Sequence, residues 1–413
     1  MAKIFYGTNS EIALDLPAGA IVADCRAAKS ADIPALELAQ RAIATLLDFP
    51  PLRRAVVPGD HIILALSPGV PQAADVVAAI VPELIAGGAA PADVTVVCAP
   101  GEGDDSAALQ QHDPRRGLPE ELRQAVQLAV HHPATEGEVS YLAANAQGEP
   151  IYLNRQMCDA DLVLPIGCLL PDHSASKNGR GGIWNETLFP TFSDRNTIEH
   201  FAPNGVAVSP GQQAHRQRQI DDVAWRMGVQ ITVQVVPGSG NRAMHVLAGA
   251  PESVFRHGRA SSQAAWRFEV PGRASLVIAG LSGDAMQQTW QNLGRALEAA
   301  LAVVAEEGAI ALCTDLATKP GPALRVLAAA ADAEEAQSRL RKLHSADAPL
   351  ARLLLDALDR STVYLLSRLD EELVSPLGFA PVADAAEIAR LATHHASCIL
   401  LPDAQFARPF VAE

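Results

Sequence analysis

The chain has 413 residues, 49% of them apolar and 19% charged, and a formal net charge of −15. That apolar content excludes a disordered chain, and the length exceeds what one core comfortably organises, so two domains are expected. The acidic balance argues against a nucleic-acid partner, which needs clustered Lys and Arg, and no apolar run is long enough to span a bilayer, so no membrane partner is expected either.

The first fifty residues read as strand-like pieces and a helix, ELAQRAIATLLDF, closed by Pro50-Pro51. A regular alternation follows: strand HIILAL (61–66), helix PQAADVVAAIVPELIAGG (71–88), strand DVTVVC (93–98). The helix has proline early and glycines at its end, as start and stop signals require, and Pro82 inside it predicts a kink. QLAVHH (127–132), VSYLA (139–143) and PIYLN (150–154) read as strands, the last two joined by the turn NAQG (145–148). DLVLPIG (161–167) is an apolar strand that opens into a long polar loop.

Beyond that loop come a helix around 215–226, the strand GVQITVQVVPG (228–238) and a helix ending in a Pro-Gly turn. A second alternation starts at SLVIAG (275–280), with a helix over about 285–307 and strands AIALC (309–313), TVYLLS (362–367) and SCILL (397–401). Strands alternating with helices predict an α/β fold: two α/β domains, 1–270 and 271–413, with mostly parallel sheets covered by helices and a cleft between them.

Aromatic residues are only 4% of the chain, so Ala, Val, Leu and Ile must build the core. The cysteines Cys25, Cys98, Cys158, Cys168, Cys313 and Cys398 show no CxxC spacing and read as buried free thiols in a reducing compartment. The start MAKIFYGTNSEIAL lacks a basic region followed by an apolar one, so the expected location is cytoplasmic.

Two glycine-rich loops, KNGRGG (177–182) and PGSGNR (237–242), follow strands, but neither forms a GxGxxG strand–turn–helix unit, so both read as ordinary turns. Glu102, Asp104 and Asp105 lie just past a strand and read as a solvated acidic loop, with cation binding or acid–base work as the alternative. His131-His132 and His394-His395 are neighbours whose side chains point apart and do not chelate. The polar loop after 161–167 holds Asp172, His173, Lys177, Arg180, Trp184 and Glu186, with His200 shortly beyond. A strand's carboxyl end emptying into such a loop is where open α/β sheets place ligands. An imidazole there could move a proton or hold a transition metal.

NRQMCDADLVLPIG (154–167) resembles the Asn-Arg…Ala-Asp-Leu-Val…Gly segment of lactate racemases, enzymes that use a nickel-pincer nucleotide. The resemblance keeps its order along nearly the whole chain: FYGTNSEIALDLP, GDHIILALSPGVPQ, DVTVVCAPGEGDD, FPTFSDRNTIEH, GLSGDAMQQTWQNLGRALEAA and STVYLLSRLDEELV each look like a family segment. It implies the two-domain α/β fold, and racemase or epimerase chemistry on a 2-hydroxy acid or sugar acid. In the family a lysine carries the cofactor, a histidine ligates nickel, and two histidines exchange the substrate's hydroxyl proton.

Several motif positions differ here. Ser67 and Val70 stand in the Asp-x-x-Arg motif, Gly103 at the first catalytic histidine, Asp172 (with His173 next) at the second, Ala202 at the nickel ligand and Glu186 near the lysine. A carboxylate cannot make the lysine's linkage, so the pincer nucleotide is expected without covalent attachment, or not at all. The resemblance leaves His173, Asp172 and His200 as catalytic candidates, with His200 also the candidate metal ligand. Lys177 and Arg180 are the candidates for cofactor binding. Gln291 matches the family's glutamine, and Arg295 follows the position of its lysine (Gly294); the two are the candidates for gripping a small-molecule carboxylate. The alternative is a non-catalytic relative that keeps the fold and binds another ligand.

Overall fold

The computed structural model describes residues 2–17, 19–28, 33–101, 112–145, 147–171, 187–201, 210–343, 345 and 347–412. Its strands begin with β1 (Ala2–Tyr6), β2 (Ser10–Leu14), β3 (Ile21–Asp24), β4 (Ile62–Leu66), β5 (Val94–Cys98) and β6 (Gln127–Val130). Next come β7 (Val139–Ala144), β8 (Pro150–Asn154), β9 (Leu162–Cys168), β10 (Thr232–Pro237), β11 (Ala243–Gly249) and β12 (Arg267–Val270). The last six are β13 (Ala274–Gly280), β14 (Val304–Cys313), β15 (Thr362–Leu366), β16 (Ala380–Val382), β17 (Cys398–Leu401) and β18 (Arg408–Val411).

The first large sheet has the order β11-β10-β9-β4-β5-β6 and is parallel except for β11, which runs antiparallel to β10. β4, IILAL, is buried at every residue because it is central and both its faces are covered. On one face, helices Ala35–Ala44 and Ala73–Ala86 bring Ile43, Val77, Ile80 and Leu84 onto Leu64, Val96 and Val233. On the other, Leu153, Met157, Phe192 and Val223 close over Ile63, Val97 and Val163. Each such large side chain, fully buried, contributes about 1.5–3 kcal/mol. The helix expected to kink at Pro82 runs through it.

The second sheet, β16-β15-β14-β13-β17-β3, is parallel throughout. Helices Trp290–Leu301, Pro322–Ala328 and Ala348–Leu358 cover one face through Leu293, Leu324 and Leu354. The β1–β2 hairpin and helix Ala385–Thr393 cover the other through Ile4, Ile12, Leu14 and Ile388. Sheet and helix thus alternate in three layers in both halves, the α/β class expected.

Three details differ from the sequence reading. β3 pairs with β17 and the β1–β2 hairpin packs on Leu276, Ile278 and Leu400, so the start of the chain joins the second sheet rather than the first. The helix expected to reach 307 stops at Leu301 and β14 begins at Val304; Glu307 has φ +57, which a helix does not accept. β11 was not anticipated; it makes PGSGNR the turn between β10 and β11. Among the described residues no helix is long and apolar enough to cross a membrane.

Candidate ligand site where the two sheets meet

Strand order reverses between β4 and β9 in one large sheet and between β13 and β17 in the other. Crevices at such switch points, outside the carboxyl ends of the strands, are where open α/β sheets bind ligands. Here the segments leaving the carboxyl ends of the two sheets touch. Gln287, beyond β13, donates Nε2 to the Gly69 carbonyl beyond β4 at 2.9 Å. Gly240, beyond β10, donates its amide to Asp403 Oδ1 beyond β17 at 2.8 Å. His112 Nδ1 lies 4.0 Å from Asp284 Oδ2. Both switch points therefore open onto one seam.

Among the described residues, the ends of β4, β9 and β10 bring uncharged polar groups to the seam. Ser67 Oγ donates to the Thr187 carbonyl at 3.1 Å, and Gln234 Nε2 donates to Thr187 Oγ1 at 3.1 Å and Thr232 Oγ1 at 2.9 Å. Gly167 makes this approach possible, since a Cβ there would stand 2.5 Å from Thr187 Oγ1. The long loop thus leaves β9 at Pro171 and is fastened again at Thr187. Val70 is buried in the apolar core. Ser67 and Val70 therefore provide a hydrogen bond and packing at positions where the resembling family carries charge.

The second sheet supplies charge. Gln291 and Arg295 stand one turn apart on helix Trp290–Leu301, with Thr289 capping it through Oγ1 to the Asn292 amide. Gln291 is exposed and Arg295 half-buried. The Arg295 guanidinium lies within electrostatic reach of Cys168, the last residue of β9, and of Arg408 on β18. Burial pushes the Cys168 thiol up to about 12 against the opposing pull of Arg295, so the thiol stays protonated at neutral pH. Burial also holds Arg408 down to about 10, with Glu298 opposing that shift and Arg295 adding to it. A half-buried guanidinium near a strand's carboxyl end can grip a carboxylate with two parallel hydrogen bonds.

Of the candidates named from sequence, the structure brings Gln291 and Arg295 onto one helix at the seam. Asp172, His173, Lys177 and Arg180 lie outside the described residues, as do Glu102, Gly103, Asp104, Asp105, Glu186 and Ala202. His200 sits exposed in the last turn of helix Arg195–Phe201, its ring 5.8 Å from that of Phe201. No group of three or more His, Cys, Asp or Glu side chains able to hold a metal occurs among the described residues. His200 thus has no companion ligand among the described residues.

Sequence reasoning missed Gln287, Asn292 and Asp403, all at most 5% exposed and all hydrogen-bonded within the seam. It also missed what Asn154 does. Asn154 Oδ1 caps the Met157 amide at 3.3 Å, and its Nδ2 meets His131 Nδ1 at 3.2 Å. Nε2 of His131 then donates to the Ser193 carbonyl at 2.7 Å. His131 is fully buried, and burial lowers its pKa.

Comparison with known proteins agrees with this geometry. The model of the lactate racemase N-terminal domain family matches residues 6–213. The lactate racemase apoprotein of Thermoanaerobacterium thermosaccharolyticum superposes with a TM-score of 0.76 at 18% identity, over 100% of this chain and 99% of that one. A Thermotoga maritima protein superposes with a TM-score of 0.66 at 10% identity, over 92% of this chain and 97% of its own. At these identities the two structures speak for the fold alone. No curated protein matches at the sequence level. With the family model covering half its length, the chain belongs to the lactate racemase family.

Proposed function

We propose that the seam binds a small 2-hydroxy acid or sugar acid by its carboxylate, as a racemase- or epimerase-like member of the family with a diverged site. The observation that carries this reading is Arg295, half-buried on the helix that leads from the β13 switch point, held by Asn292 at 2.9 Å and within electrostatic reach of Cys168 at the end of β9. Arg295 grips the carboxylate, Gln291 one turn earlier orients it, and the uncharged groups around Ser67, Thr187 and Gln234 line the opposite wall. The Cys168 thiol, protonated at neutral pH, is not a nucleophile in this scheme. Proton exchange at the substrate's carbinol falls to Asp172 and His173, on the loop that leaves the seam at Pro171, and to His200. The family's nucleotide supplies hydride chemistry when bound. With Glu186 near the lysine position and no described companion for His200, no step of this reading runs through that group.

Isothermal titration with D- and L-lactate tests the binding. A charge-assisted pair is worth about 1.5–3 kcal/mol, so Arg295→Gln weakens affinity roughly tenfold to a hundredfold. Equal affinity in wild type and variant refutes the assignment. A racemisation assay on the same acids, with intact mass and nickel content of protein made alongside the cofactor-synthesis enzymes, then separates catalyst from binder. An unmodified mass, no nickel and no racemisation favour the binding relative. A nucleotide-sized adduct with stoichiometric nickel overturns the view that attachment is lost.

A further inference from the structure

The carboxylate-gripping arginine is joined to a hydrogen-bonded chain that starts in the other half of the molecule. Gly69, just beyond β4, offers its carbonyl to Gln287 Nε2 at 2.9 Å. Gln287 Oε1 accepts from Asn292 Nδ2 at 3.0 Å, and the same Nδ2 reaches the Gln287 carbonyl at 2.9 Å. Asn292 Oδ1 then accepts from Arg295 Nη1 at 2.9 Å. Gln287 is 1% exposed and Asn292 5%. Neither amide can turn over without exchanging a donor for an acceptor: a flipped Gln287 would set its oxygen against the Gly69 carbonyl, and a flipped Asn292 would set NH2 against the guanidinium. The polarity of the chain is therefore fixed from end to end.

We propose that Gln287 and Asn292 are positioning residues that aim the Arg295 guanidinium across the seam and tie its aim to the contact with Gly69 in the first sheet. The inference rests on the reading of Arg295 given above. A side chain as long as arginine loses rotamer entropy when it binds a ligand, and a guanidinium already held by Asn292 loses less. Because the far end of the chain is a backbone carbonyl of the other sheet, opening of the seam at Gly69 frees the Gln287 side chain and loosens its hold on Asn292 and, through Asn292, on Arg295. Ligand affinity and closure of the two halves are thereby coupled.

Two readouts test this. The first needs no ligand: in protein labelled with 15N-arginine, the Arg295 Nε–H resonance, assigned by its loss in Arg295→Lys, is followed by heteronuclear relaxation. It is expected to be rigid in wild type and to gain mobility in Asn292→Leu. Gln287→Leu, which cuts only the far end, is expected to move it the same way by less, and decides the matter if Asn292→Leu does not fold. A guanidinium already mobile in wild type, or unchanged in both variants, overturns the proposal. The second readout is lactate titration. Losing one positioning hydrogen bond, about 0.5–1.5 kcal/mol, corresponds to a roughly twofold to tenfold weaker Kd in Asn292→Leu. In an Arg295→Lys background the same substitution is expected to add nothing; a full additional loss there overturns the proposal. If wild type binds no lactate, the ligand reading above fails and relaxation alone decides the relay.

Discussion

Asn154 belongs to the segment that most resembles the family, and its contacts predict that its role is structural. Replacing it with alanine removes the Met157 cap, worth about 1 kcal/mol at a helix start. It also leaves His131 Nδ1 without its 3.2 Å partner in a site with no exposure, a desolvation cost of about 1–3 kcal/mol. Asn154→Ala should therefore destabilise the first half by roughly 2–4 kcal/mol, the sum of those two costs. Asn154→Asp is the sharper probe. Asp keeps the cap but presents only acceptors to Nδ1, so the ring can satisfy it only by taking a proton.

In wild type the folded-state pKa of His131 lies below its unfolded value because burial disfavours the cation. The unfolded chain then binds more protons in that window, so this contribution to stability is present above pH of about 6.5 and is lost as pH falls toward the folded value. With a carboxylate against Nδ1 the folded pKa is raised instead. The contribution is then present at low pH and lost as pH rises through the folded value. Urea unfolding at pH 5 and pH 8, with amide exchange of Asn154 and Met157 as the local probe, should show Asn154→Asp less handicapped relative to wild type at pH 5 than at pH 8. A constant difference across that range, or an Asn154→Ala cost below about 0.5 kcal/mol, the level of an ordinary surface substitution, refutes the structural reading of this asparagine.

Asp403 is almost fully buried and burial raises its pKa, so its contribution is present at low pH and lost as pH rises through the folded value. Asp403→Asn keeps an acceptor for the Gly240 amide and should raise the melting temperature at pH 7, with the gain shrinking as pH falls toward about 4; a lower melting temperature at pH 7 contradicts this. Gly249 has φ +140, and a Cβ there would meet the Leu47 carbonyl oxygen at 2.2 Å. Gly249→Ala should cost more than about 3 kcal/mol in chemical unfolding, since strain and backbone overlap add. Trp225 is 78% exposed, so Trp225→Ser should leave unfolding within about 0.5 kcal/mol of wild type.

The alternation of apolar strands and amphipathic helices made both sheets readable, because period and burial are local properties: HIILAL, DVTVVC and SLVIAG lie on β4, β5 and β13. Pairing between distant segments was not readable. β3 lies next to β17 because Ile21 meets Cys398, a contact that leaves no mark on either segment alone. The same holds at the site. Gln291 and Arg295 were found through resemblance, whereas Gln287 and Asn292 look like ordinary polar residues of QQTWQN until Gly69 arrives from the other sheet. The one local hint was that run of amides just ahead of an apolar helix face. His131 shows the reverse case: its neighbour His132 is exposed while it is buried, as alternation along a strand predicts.

The place of β3 also bears on how the gene can be cut. The whole first sheet is an insertion within the second, entered after β3 and left before β13, so two chain passages rather than one join the halves. A fragment starting at residue 271 would lack β3 and the β1–β2 hairpin, baring the edge of β17 and the face holding Ile278 and Leu400. An uncovered parallel edge of that kind recruits other chains. The natural way to isolate the second half is to splice 1–28 to 267–413, which keeps β12 beside β18, through a short glycine-rich linker, and the natural way to isolate the first is to excise it as a single loop.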